Sequence, residues 1–141
     1  VVLLLGAIFG ACTLGLGFRA LTHAADAGAR QRAIRSFDTF IERARITSLG
    51  GAGSAQPVEL ELPDSHMLID GKLIQLMAGE EVLRSELLPL PALTEIGLGG
   101  RLTSGRYLIE LKRATRDRTT SALIDNGALR VGGYYLELGR G

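Results

Sequence analysis

The chain has 141 residues, with sixteen Lys and Arg against fifteen Asp and Glu, for a formal charge of +1. That length suits one domain of ordinary size, and so balanced a charge argues against a protein drawn to nucleic acid by electrostatics alone. Its single cysteine, Cys12, excludes an intrachain disulfide, a CxxC pair and a cysteine-based zinc cluster. The cations are fourteen Arg and two Lys, and there is one Asn beside three Gln, a poverty of thermolabile amides that leans toward a heat-adapted, hyperthermophile source.

The first element is the run VVLLLGAIFGACTLGLGF, eighteen residues without a charge, closed by Arg19. As a helix it reaches about 27 Å at 1.5 Å per residue, nearly the thickness of a bilayer core. Gly6 and Gly10 stand at the spacing that lets helices approach closely in apolar surroundings. In water each such glycine weakens a helix by up to about 1 kcal/mol relative to alanine, so the run needs neighbours packed on it.

Beyond it Ile34, Phe37, Ile41 and Ala44, widened by Ala33 and Phe40, recur at three- and four-residue spacing. Arg32, Arg35, Asp38, Glu42, Arg43 and Arg45 mostly take the other side, the pattern of an amphipathic helix. One helix over residues 1–49 would be about 70 Å long, more than a bilayer core requires. GGAGSAQP (50–57) breaks the pattern and reads as a helix stop and linker.

From residue 58 to 141 the grammar is that of strands. VELEL (58–62) alternates strictly, and MLIDGKLIQLM (67–77) sets Asp70-Gly71 between two apolar runs as a hairpin. EEVLRSELL reads as a further strand, though its acidic start would also suit a helix, and LPLPALTEIGLGG reads as loop with one short strand, held extended by its prolines. GRYLIELKR (105–113) puts Tyr107, Ile109 and Leu111 on one face. TTSALIDNGALRVGGYYLEL reads as a second hairpin about Asn126-Gly127, closed by Tyr134, Leu136 and Leu138. The fold class is therefore α+β, a long N-terminal hydrophobic helix followed by an antiparallel all-β head, either a sandwich (Ig-like) or a small barrel.

Catalytic groups are scarce. His23 and His66 are the only imidazoles, and no HxH or HxxxH pair exists. Asp64, Ser65 and His66 hold the residue types of a hydrolase relay, but consecutive side chains do not converge as one, and Asp64 after Pro63 is turn chemistry. GLGG (97–100) lacks the lysine and the spacing of a phosphate loop. Lys112, Arg113, Arg116 and Arg118 form a basic cluster without an aromatic platform, better read as a solvated hairpin tip than a nucleic-acid site. The expectation is a protein that is not an enzyme, with no cofactor, no metal, no nucleic acid and no small-molecule substrate.

A secretory signal peptide would start with basic residues and would not continue into thirty more residues of helical pattern. Two readings of the run remain, a membrane anchor and the core of an assembly. In the second, Val1, Leu5, Gly6, Ile8, Phe9, Gly10, Leu14, Phe18 and Leu21 pack helix against helix in a dry centre. Ile34, Phe37, Phe40 and Ile41 then join the helix to its head or to a neighbour. Head-to-tail contacts that do not close give an open filament.

An apolar helix opening at VVLLLGAIFGACTLGLG, an amphipathic extension, a short linker and a compact β head together resemble an archaeal type IV pilin with its leader peptide removed. Leu5 stands where bacterial relatives carry a glutamate, and no proline interrupts the helix, which favours the archaeal version. The resemblance implies a subunit inserted in the cytoplasmic membrane before assembly, then self-associated into an extracellular adhesive filament without a cofactor. Archaellum subunits and minor pilins share the plan, and a membrane-anchored extracytoplasmic β-domain binding protein is the alternative. Arg19, Arg30, Arg32 and Arg35 would by themselves hold the C-terminal part in the cytoplasm, a vote that the basic leader implied by the resemblance reverses.

Overall fold

A computed structural model describes residues 27–94, 99–115 and 120–141. The first element, α1, spans residues 27–49. It buries Ala33, Phe37, Phe40, Ile41 and Ala44 and keeps Arg32, Arg35, Asp38, Glu42 and Arg45 exposed, the division its periodicity predicts. In the last turn Thr47 Oγ1 and Ser48 Oγ donate back to the carbonyls of Arg43 and Ala44, each at 2.8 Å, and Gly50 follows where the helix stops.

The strands are β1 (Ala55–Leu60), β2 (His66–Asp70), β3 (Leu73–Ala78), β4 (Glu81–Leu87), β5 (Ala92–Leu93), β6 (Gly99–Leu102), β7 (Gly105–Arg113) and β8 (Tyr134–Arg140), with a short helix, α2 (Ser121–Asp125), before β8. They form two four-stranded sheets, in the orders β1-β7-β8-β5 and β4-β3-β2-β6. All pairs are antiparallel except β5 with β8, which is parallel.

The sheets meet at one corner. Leu60 of β1 stands opposite Gly105 of β7, and Met67 of β2 opposite Leu102 of β6, so the two connections cross from sheet to sheet side by side. Side chains satisfy two of their backbone groups there. The Leu62 amide donates to Ser104 Oγ at 2.8 Å, and the Tyr107 hydroxyl donates to the Thr103 carbonyl at 2.9 Å.

One buried cluster joins all three layers. Phe37 and Phe40 of α1 lie in it with Val58, Ile109 and Leu136 of the first sheet and Met67, Ile74 and Leu76 of the second. Helix and strands thus share a core, and β1 starts inside the stretch read as linker. The Asp70-Gly71 hairpin forms as expected, with Gly71 at φ 59° supplying the backbone twist of the turn.

The second expected hairpin does not form. Ser121–Asp125 is helical, Asn126 caps its C-terminus, and Gly127 at φ 82° follows in the left-handed region. Asn-Gly serves a helix end as well as it serves a hairpin, and here Leu123 and Ile124 pack on a second buried cluster of Leu93, Ala114, Leu129 and Tyr135. β8 pairs instead with β7 and β5. Tyr134 is exposed, while Tyr135 is buried on the face opposite Leu136 and Leu138, because β8 is an interior strand covered on both sides.

Candidate assembly surface

Val1, Leu5, Gly6, Ile8, Phe9, Gly10, Leu14, Phe18 and Leu21 lie outside the described residues, as does His23. Of the remaining residues expected in assembly, Phe37 and Phe40 are fully buried and Ile41 nearly so, within the core shared with the sheets. Ile34 is half-buried against the same core. The structure therefore brings these four together at the joint between helix and head of a single chain.

That joint is set by four arginines. Arg30 and Arg45 reach Glu81 and Glu86 of β4, at 3.1 and 3.2 Å. Arg32 reaches Glu61, just past β1, at 3.2 Å, and Arg43 donates to Gln56 Oε1 and the Pro57 carbonyl within β1. β1 and β4 are the outermost strands of their sheets, so α1 lies along two sheet margins at once. The ion pairs are about half exposed and each contributes little, typically below about 1 kcal/mol. Their order along the chain shows that α1 and β4 run in the same direction.

Where α1 ends, Ile46 and Leu49 are exposed beside a shallow groove of about 360 Å³ that also touches Ile41, Arg45 and Glu86. Among the described residues no helix is long and apolar enough to cross a membrane.

The corner between the sheets holds the other polar candidates. Asp64 sits at φ 51° in a tight turn, as its place after Pro63 predicts. Ser65 Oγ is enclosed and has no hydrogen-bond partner among the described residues. His66 Nδ1 is 3.3 Å from Arg101 Nη2. A guanidinium can only donate, so the ring nitrogen accepts and the imidazole is neutral in this contact. Burial, and then the Arg101 charge, push the imidazole below its usual range. Asp64, Ser65 and His66 are not hydrogen-bonded to one another, and no relay is assembled. Among the described residues no three His, Cys, Asp or Glu side chains are grouped to hold a metal.

The basic cluster is placed in part, since Arg116 and Arg118 lie outside the described residues. Lys112 is paired with Glu137 at 2.8 Å. The Arg113 guanidinium stands 5.8 Å from the centre of the exposed Tyr134 ring, a contact that the hairpin reading of 119–138 gave no reason to expect.

The two sheets differ on their outer faces, which sequence reading did not bring out. On the first, α2 and the chain around it cover Leu93 and Tyr135. On the second, Leu68, Leu73 and Met77 alternate with the buried Met67, Ile69, Ile74 and Leu76 and belong to neither buried cluster of the described residues. The runs MLI and LIQLM carry that signal, being apolar on both faces as in a strand covered twice.

Comparison with family models, with curated proteins and with solved structures returns no match.

Proposed function

We propose that the chain is a structural subunit of an extracellular, archaeal-type IV pilus-like filament, inserted in the cytoplasmic membrane before assembly and polymerising through its hydrophobic N-terminal helix. Its expected role is adhesion, and the proposal assigns it no catalysis and no cofactor. One observation supports this above the others. The apolar stripe of α1 is already used within the chain, on the core of the two sheets, whereas Val1–Phe18 is uncharged throughout and rich in small residues. A run of that composition is best stabilised by other apolar helices, and copies of itself supply them.

The test is electron microscopy of material sheared from the surface of cells making the protein. Fibres containing the chain are expected, and Gly10→Leu should reduce them without unfolding the head, because it fills the close-packing position of Gly6-xxx-Gly10. Fibres of normal abundance and diameter in that variant would count against close packing at Gly10. A cell surface without fibres would favour the second reading, a single β head tethered to the membrane, for which the shared core of α1 and sheets is an equally suitable stalk joint.

A further inference from the structure

We propose that the outer face of the sheet β4-β3-β2-β6 is a homophilic contact, binding the same face of a second copy that projects from an opposing surface. The inference goes beyond the filament reading and does not depend on it, since a tethered monomer would present the same face.

The face reads as three rows across the strands. His66 stands opposite Met77, and Met77 opposite Val82. In the next row Arg101, Leu68, Gln75 and Ser85 are in register. The third row holds Asp70, Leu73 and Leu87. Val82 and Leu87 are 48% and 66% exposed, and Leu68, Leu73 and Met77 are half-buried. An outward face of an antiparallel sheet is ordinarily polar, and a concentration of apolar side chains on one marks a contact.

The arrangement is self-complementary about one axis. A two-fold through the middle row, perpendicular to the strands, exchanges the outer rows. Met77 then meets Leu73 of the other copy, Val82 meets Leu87, and His66 meets Asp70. Leu68 and Gln75 meet themselves. Ser85 and Arg101 meet themselves as well, Arg101 on the outermost strand at the rim, where solvent screens the two like charges. Among the described residues Asp70 has no ion pair of its own, and the only polar side-chain contact of Arg101 is with His66. The other face-to-face two-fold, along the strands, places Leu68 over Gln75 and Asp70 over Leu73, matching apolar to polar groups.

The axis also fixes direction. α1 runs with β4, β4 is antiparallel to β3, and β3 to β2, so the strands of this sheet lie along the helix. A two-fold across them reverses α1. Two copies joined this way point toward each other, as chains on facing surfaces do, and not side by side in one membrane or filament.

The test uses the full chain in two populations of proteoliposomes. In a Cys12→Ser background, Leu68→Cys and separately Gln75→Cys are treated with a short bis-maleimide, because facing sheets sit about 10 Å apart, beyond the reach of a disulfide. Each variant should cross-link to itself, Met77→Cys vesicles should cross-link to Leu73→Cys vesicles, and Leu108→Cys on the other sheet should not cross-link. Val82→Lys, which sets a charge against Leu87, should lower both the cross-linking yield and vesicle clustering by about tenfold or more. Cross-linking of Leu68→Cys to Gln75→Cys without self-linking would overturn the axis. With Cys12 retained, a link from Cys12 to Leu68→Cys within one chain would show the N-terminal run covering the face, and would overturn the proposal. Absence of any link between copies would overturn it as well.

Discussion

The Oγ of Ser36 accepts a hydrogen bond from the backbone amide of Glu61 at 2.9 Å, fastening the middle of α1 to the chain just beyond β1. Ser36 is 9% exposed, so the hydroxyl is held where water has little access to it. Ser36→Ala removes the acceptor of the Glu61 amide and should cost about 0.5–1.5 kcal/mol. The expected result is a lower urea midpoint with an unchanged slope. An unchanged midpoint would mean that water replaces the hydroxyl.

Phe37 is, with Phe40, one of the two fully buried aromatic anchors of α1. It is fully buried among side chains of both sheets, and Phe37→Ala should destabilise by about 3–5 kcal/mol through lost burial and the cavity left behind. Leu49, 88% exposed at the end of the same helix, should tolerate alanine within about 0.5 kcal/mol. Thermal unfolding of the two variants side by side checks the contrast. Similar losses would mean that Leu49 is covered by something outside the described residues.

Two groups make stability depend on pH in opposite ranges. His66 is pushed below its usual value of 6.5 by burial and by Arg101. Its contribution is therefore present above that value and is lost as pH falls through the lower folded one. Lys112 is pushed above 10.5, first by its hydrogen bond to Glu137. Its contribution is complete below 10.5 and is lost as pH rises through the higher folded value. Lys112 and Glu137 are more than a third exposed, so solvent screening keeps that term small. His66→Gln should flatten the acid limb of the stability profile and Lys112→Met the alkaline limb. A variant that leaves its own limb unchanged would contradict the assignment.

Gly100 is held by a close approach as well as by its backbone, at φ 157°. A Cβ there would lie 2.6 Å from Thr94 Oγ1, a hydroxyl that donates to the Gly99 carbonyl at 2.7 Å. Gly100→Ala should displace Thr94 and cost about 1–3 kcal/mol. Combining it with Thr94→Ala should cost less than the sum of the two single changes, which a double-mutant cycle measures directly. Additive losses would place the cause elsewhere.

How legible the fold was depended on whether an element's cause is local. The stripe Ala33, Phe37, Phe40, Ile41 and Ala44 specifies one side of α1 by spacing alone, and the structure buries that side. Tyr107, Ile109 and Leu111 share one face of the strand, opposite Arg106, Glu110 and Lys112, and point inward as that spacing requires. Asn126-Gly127 was ambiguous because both a hairpin and a helix end want the same positive φ. What decided between them was the burial of Leu123 and Ile124 over Tyr135, a contact between residues ten or more apart that no turn signal contains. The parallel pairing of Ala92 with Leu136 is likewise non-local.

For the candidate surfaces the balance was similar. The sequence placed Phe37, Phe40 and Ile41 at a junction but left open which one, since a stripe does not say whether its cover comes from the same chain or another. Asp64 could be recognised as a turn residue from its neighbour. The pairing of His66 with Arg101 could not, because it joins β2 to β6 across thirty-five positions. The doubly apolar runs of β2 and β3 were in plain view, yet reading them only as the two arms of a hairpin left their faces undivided.

The position of α1 along β1 and β4 has a consequence for the life of the polypeptide before it is complete. Outermost strands offer unpaired backbone groups to any other chain that passes, which is how β-rich proteins aggregate. Here the segment that lies along two of those margins is N-terminal to every described strand, and so leaves the ribosome before them. Each margin strand is made after the segment that carries its partners Arg30, Arg32, Arg43 and Arg45. α1 is thus synthesised before either of the margin strands that it lies along.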